Sequence, residues 1–386
     1  MGWDRQKASV AAKPETPSLV LWLTSGLIAV ISGMLLFVLH ANQLLALFQK
    51  FNLWIVSGSP IFIWFIMISF RSWRYNLAMD RYQFESDEAN YAKLQWTSWA
   101  GRYLAVMYSR VILPKELTPS IFLRAPPDLE QSGGLSLRVS LPDNESVFSA
   151  LLQGLDAQVL QSLSDLPLSV TLLTDSTAPD ESLQCAFSSC WLRLVGQTCS
   201  LPSMKVLKIS SFDWVNERLK SPTLDVELLM VHQLQGGGEY SDALSVILLT
   251  SDDVATKYQL SHHARLLRPM SFDAMGDMNE GMDTFFSTQS QAIAVSAIIG
   301  DYMSWGDEFS SLLASAKKYE GSWKPQQCHW LEKYAGLSGP FSPWVLATVA
   351  SDITALTKKD CLMLSSDKAR RYMNTVTKGN SMNGEG

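Results

Sequence analysis

The sequence predicts an N-terminal two-helix transmembrane hairpin followed by a cytoplasmic α/β domain. Three observations carry that expectation. Two long apolar stretches without charge lie near the N-terminus, arginines follow the second, and strand-like and helix-like segments alternate after Leu113.

Residues 1–17 form a polar segment that carries Arg5, Lys7 and Lys13. The first apolar stretch, 18–39, has 22 residues and no charge. At ~1.5 Å per helical residue it covers the ~30 Å hydrocarbon layer of a bilayer. A cleaved signal peptide is the competing reading. Its apolar region runs about 7–15 residues and ends at small residues, whereas His40 and Asn42 follow here, so a retained helix is expected. Ser25, Ala29 and Gly33 recur on one face of this helix. Small residues at that spacing let another helix backbone approach closely, whether the second helix or one from another protein.

The second stretch, 53–70, is also uncharged but contains Pro60. Proline removes one intrahelical bond, so it should kink the segment or mark its start. A start at Pro60 would leave a re-entrant piece; the apolar residues of 44–51 can lengthen the span, and two crossings are expected. Only Lys50 lies in the connection, while Arg71, Arg74 and Arg81 follow the second stretch. Positive charge favours the cytoplasmic side, which places both termini there in a multi-pass protein of a bacterial inner membrane.

Residues 71–113 have a helical rhythm and are rich in aromatics. They are expected to form a juxtamembrane helix ending at Leu113-Pro114. Arg71, Arg74, Trp96, Trp99 and Tyr103 are its candidate interface residues, since Trp and Tyr favour the headgroup level. The competing and preferred reading packs the aromatics into the following domain, as ordinary core material.

Residues 114–372 are read as one soluble domain, with a separate second lobe after Pro269 as the alternative. Strands are expected at 135–141, 168–173, 205–209, 226–232, 243–249 and 360–364. Helices are expected at 146–163, 180–195, 212–219, 306–319 and 343–356. Such alternation implies α/β layers around a largely parallel sheet. No internal repeat of fixed period appears. Residues 373–386 are read as a flexible tail with too little apolar surface to stay ordered.

Composition narrows the function. The 47% hydrophobic and 18% charged fractions depart from a soluble average in the direction an anchor causes. A formal net charge of −6 and the lack of a basic stripe argue against nucleic-acid binding. Five cysteines, Cys185, Cys190, Cys199, Cys328 and Cys361, form no C-x-x-C pair, so reduced structural thiols are expected. The sequon Asn144-Glu145-Ser146 has no meaning on the cytoplasmic side.

No residue set argues for catalysis, a cofactor or a metal. Gly236-Gly237-Gly238 lacks the following helix that a phosphate loop needs and reads as a hairpin-like turn. Asp252-Asp253 with His262-His263 lacks metal-ligand spacing. Cys328-His329 are sequence neighbours, which catalytic pairs seldom are. Asp273, Asp277, Asn279, Glu280 and Asp283 resemble a calcium loop, but Gly281 falls one position early and Thr288 stands where a bidentate Glu is required.

Trp96-x-x-Trp99-x-x-Arg102, Trp214-Val215-x-x-Arg218-Leu219 and Arg268-Pro269 give the soluble region a resemblance to accessory proteins of bacterial type VI secretion, in particular the lipase-adapter family. The resemblance touches a minority of the chain and implies a non-enzymatic adapter that loads a secreted effector. The expected function is a membrane-anchored, cytoplasm-facing interaction protein. Membrane lipid and one protein partner are its expected ligands, and its oligomeric state is left open. The alternatives are a membrane-bound α/β enzyme acting on lipid or acyl groups, and an immunity protein against a secreted toxin.

Overall fold

The computed structural model describes residues 2–4, 9–44, 50–141, 146–155, 157–163, 166–195, 200–272, 278–367 and 370–380. The sequon at Asn144 and Asp273 and Asp277 of the rejected calcium-loop pattern lie outside them, as do Cys199, Arg5 and Lys7. The chain divides into two compact units, one of residues 6–95 and one of residues 1–5 with 96–386.

The smaller unit is built on α1 (Leu19–Ala41) and the first part of α2 (Leu53–Ala100). Ser18 caps α1 by accepting from the Leu21 amide. Both helices are long and apolar enough to cross a bilayer. Their apolar side chains face outward: Leu23, Leu27, Ile31, Trp54, Phe62 and Phe65 are exposed. No break occurs at Pro60, which sits in the second turn of α2. At ~1.5 Å per residue α2 is about 70 Å long, over twice the hydrocarbon thickness.

The larger unit holds one 11-stranded sheet. Its first half comprises β1 (Tyr103–Ile112), α3 (Pro119–Arg124), α4 (Val147–Leu152), α5 (Ala157–Ser162), β2 (Leu168–Thr174), α6 (Asp180–Leu194), β3 (Ser203–Leu207), α7 (Trp214–Lys220), β4 (Val226–Gln233) and β5 (Ala243–Ser251). The second half follows α8 (Asp252–Lys257). It comprises β6 (Ala264–Leu267), β7 (Met270–Ser271), α9 (Met278–Thr288), β8 (Ala297–Gly300), α10 (Phe309–Lys317), β9 (Cys328–Trp330), α11 (Glu332–Ala335), α12 (Ser342–Thr357), β10 (Cys361–Ser366) and β11 (Arg371–Lys378).

The strand order is β3-β2-β4-β5-β1-β6-β11-β10-β8-β9, with β7 beside β11. Read outward from the centre with the two-residue β7 left aside, both halves follow the same rule: first, fifth, fourth, second, third. In each, the second strand is parallel to the third and fourth, and the fifth runs antiparallel to its neighbours. β1 and β6 join the halves antiparallel. The fold is therefore a structural duplication, although no sequence period marks it.

Three apolar cores hold the layers. One lies under α3, α7 and α12 and draws on both halves, from Leu229 and Ile247 to Ile299 and Met363. α12 is buried along almost its whole length, as its apolar run requires. A second core joins α4 and α6 to the first half; a third joins α9 and α10 to the second half and takes in Trp3 and Ala100.

Several expectations are corrected here. The reading of 71–113 as a juxtamembrane helix fails beyond Ala100, because Tyr103–Ile112 is the strand β1. Its aromatic and β-branched residues pair on both sides with β5 and β6, and that pairing overrides a helical spacing. Residues 373–378, assigned to a flexible tail, belong to β11. There Asn374 donates to the Leu267 carbonyl and Thr375 to Gln289, which lets two polar side chains be fully buried. The sheet is mixed and not largely parallel. Residues 135–141 form no strand, and 146–163 contains two short helices where one was expected.

Candidate active site

At the C-terminal part of β1 a register shift separates Val106 from Tyr108. Leu104 and Val106 face the shared core, and Ala105 and Met107 face the second core; after the shift Tyr108 also packs on the second core. The side-chain alternation thus slips by one residue, as a bulge causes. Ser109 is thereby turned toward α12.

His263 stands just ahead of β6. Its amide donates to the Val106 carbonyl at 2.9 Å and its carbonyl accepts from the Gly379 amide at 3.0 Å. A Cβ on residue 379 would come within 2.1 Å of the His262 carbonyl oxygen, so only glycine allows this approach. The His263 Nε2 lies 2.9 Å from Ser109 Oγ. The Met107 backbone lies beside the same ring and favours its protonated form, against the effect of burial. Asp352, from α12, accepts a hydrogen bond from the same hydroxyl.

Burial sets the charges. It pushes His263 down to about 4, so the imidazole is neutral at pH 7 with its Nε2 lone pair aimed at Ser109. It also pushes Asp352 up to about 6. One hydroxyl hydrogen is shared between two acceptors, and all three side chains keep part of their surface open to solvent. A serine hydroxyl beside an oriented neutral imidazole is the arrangement of an activated nucleophile and its base.

A second polar network sits at the carboxyl ends of β8 and β10. Asp301 is fully buried and accepts from Trp305 Nε1 (2.9 Å), the Tyr302 amide (3.0 Å), Ser342 Oγ (2.8 Å) and the Ser366 amide (2.7 Å). Nearby Ser211 Oγ donates to Asp367 Oδ2 at 3.1 Å, and Tyr372 OH donates to the same oxygen at 2.9 Å. Every Asp301 lone pair is engaged, so this network ties strand ends together. Ser211 has no imidazole partner among the described residues.

The residues singled out from sequence lie elsewhere. Ser25 Oγ accepts from Trp64 Nε1 at 3.1 Å, and a Cβ on Gly33 would meet the Ser57 carbonyl oxygen at 2.7 Å, so this face of α1 lies against α2. Ala29 lies between them on α1. Arg71 and Arg74 are exposed on α2. Trp96 is buried and donates to Thr288 Oγ1, and Trp99 stacks on Trp96 and on Trp3. Tyr103 opens β1 beneath the Arg265 guanidinium. Asp252 and Asp253 pair with Arg102, and Gly236-Gly237-Gly238 falls in the β4–β5 connection. Among the described residues no three potential metal ligands gather. Of Ser109, His263 and Asp352, sequence reasoning reaches only His263, as half of a histidine pair; it places Ser109 in the 71–113 helix and Asp352 in the 343–356 helix without singling either out.

No family model matches the chain, and no curated protein matches it in sequence. Solved structures do. A cerulenin-bound OleA variant from Xanthomonas campestris matches with a TM-score of 0.46 and 10% identity, over 73% of this chain and 98% of that one. A 3-oxoacyl-[acyl-carrier-protein] synthase III from Aquifex aeolicus matches with a TM-score of 0.43 and 12% identity, over 71% and 99%. An acyltransferase named ChlB3 matches at 0.43 and 12%, over 72% and 98%. The domain itself is a mixed-sheet α/β fold. The expected resemblance to type VI secretion lipase adapters, and the non-enzymatic adapter role drawn from it, is corrected by these comparisons: no family model or curated protein supports it, and none of the solved structures named here is such an adapter.

Proposed function

We propose that the protein is a membrane-anchored α/β enzyme that acts on acyl groups, with Ser109 as its nucleophile. The observation that carries this is the 2.9 Å contact between Ser109 Oγ and the neutral His263 Nε2, with Asp352 on the other flank of the hydroxyl. As Oγ attacks an acyl carbonyl, its proton passes to His263 Nε2. The imidazolium returns that proton to the departing oxygen or sulfur, leaving an acyl ester on Ser109. A second acceptor, alcohol or water, reverses the sequence and releases the acyl group. Asp352 holds the hydroxyl in place and sets negative charge beside the imidazolium that forms.

The anchor reading rests on the outward-facing apolar surfaces of α1 and α2. The Trp3 indole donates to the Pro269 carbonyl at 2.7 Å and packs on Trp99 and Phe285, inside the same compact unit as the sheet. An N-terminus held by that domain supports an even number of crossings. The arginines after residue 70 favour the cytoplasmic side for both.

A fluorophosphonate probe tests the assignment on the full chain in detergent. The wild type and Ser211→Ala should label equally, Ser109→Ala should not label, and His263→Gln should label ~100-fold more slowly. Labelling of a folded Ser109→Ala protein at the wild-type rate would refute it.

A further inference from the structure

Arg265, on β6, is held at two points without an acid. Its Nε donates to His262 Nε2 at 3.0 Å, and its guanidinium carbon lies 4.8 Å from the Tyr103 ring centre. His262 is itself buried, and its Nδ1 donates to the Leu260 carbonyl at 3.0 Å, leaving Nε2 as an acceptor. This tautomer fixes the direction of the Arg265 fork. Among the described residues its two terminal nitrogens have no hydrogen-bond or salt-bridge partner.

Those nitrogens stand where two clefts meet. The larger, ≈ 520 Å³, is lined by Tyr103, Thr256, Gln259, Ser261 and Asn380 beside Arg265. The smaller, ≈ 300 Å³, contains Asp360, whose Oδ1 accepts from the Lys378 amide at 2.9 Å. Asp360 offsets Lys378, which also lines the smaller cleft, whereas no acid is among the lining residues of the larger one, which is therefore the one suited to negative charge. Its hydroxyl and amide side chains offer neutral donors around a fixed guanidinium. A planar fork with adjoining donors matches a tetrahedral oxyanion with several oxygens.

We propose that the cleft around Arg265 and Ser261 binds the phosphate group of a ligand, whether a soluble phosphomonoester or a phospholipid headgroup. The groups concerned are not those of the Ser109 centre, so the site stands or falls independently of the nucleophile.

The test uses the full chain in phosphatidylcholine nanodiscs, with thermal unfolding of the soluble domain as readout. Inorganic phosphate and glycerol 3-phosphate are titrated in one arm; phosphatidic acid is included in the disc in the other. Stabilisation by the soluble phosphates, or by phosphatidic acid alone, supports the site and identifies its source. Arg265→Gln should weaken that response at least about tenfold, the loss expected for a charge-assisted bond. His262→Ala retains the charge but frees the fork, and should weaken it less. A folded Arg265→Gln protein that responds as the wild type does, or a wild type that responds to neither arm, would overturn the proposal.

Discussion

Replacing Asp301 by asparagine tests whether burial controls the charge at the meeting point of β8, β10 and α12. Burial pushes this carboxyl up to about 7, against four donors that favour the ionised form. An unfolded aspartate titrates near 4. The folded protein therefore prefers the protonated acid: the group's contribution to stability is complete below about 4 and is lost as pH rises through about 7. Between pH 5 and 7 that loss is about 1.4 kcal/mol per pH unit, or roughly 3 kcal/mol in all. Asparagine has the shape of the protonated acid and does not titrate. Its Nδ2 hydrogens face two of the four donors that bind Asp301, so it should be less stable than the wild type by about 1–3 kcal/mol at pH 5 and should recover roughly 3 kcal/mol against it by pH 7. At about 2 °C per kcal/mol the difference in Tm between the two proteins should move by about 6 °C in favour of the variant. Thermal unfolding at pH 5, 6 and 7, followed by near-ultraviolet circular dichroism, reads this directly. Parallel pH profiles for the two proteins would refute the reasoning, because they would mean that Asp301 carries the same charge folded and unfolded across the range.

Two further outcomes follow from the geometry. Because burial pushes His263 down to about 4, the imidazole remains a free base well into acid. Probe labelling of Ser109 should fall in two steps, the first near 6 as Asp352 is protonated and the second toward the His263 value near 4; loss of all labelling in one step at the ~6.5 of an ordinary histidine would exclude His263 as the base. Trp3→Ala removes an indole that is 6% exposed and packs on Trp99 and Phe285. Truncations of this kind cost about 3–5 kcal/mol in a core. At about 2 °C per kcal/mol the Tm of the sheet domain should fall by about 6–10 °C, and an unchanged Tm would count against the docking of Trp3.

Local pattern made some of this molecule legible. The two apolar helices need no partner to be recognised, since an uncharged run of 22 residues is a property of the run itself. β2, β4 and β5 were visible because strands buried on both faces are apolar at nearly every position. β1 and β11 were misread for opposite reasons. The first carries aromatics at spacings that also suit a helix, and the second carries Asn374 and Thr375, whose burial is favourable only after Leu267 and Gln289 supply their partners.

The sequence alone determined where apolar surface is concentrated, and hence the two long apolar helices and the runs that become buried strands. Those features depend on neighbours along the chain. Tertiary structure decided the duplicated strand order and the hydrogen-bonded cluster of Ser109, His263 and Asp352. Ser109 is 154 residues from His263 and 243 from Asp352, and a one-residue slip in β1 determines whether it faces them at all. Hydrogen-bond partners that far apart leave no spacing to read, because the geometry joining them exists only once both halves of the sheet have closed.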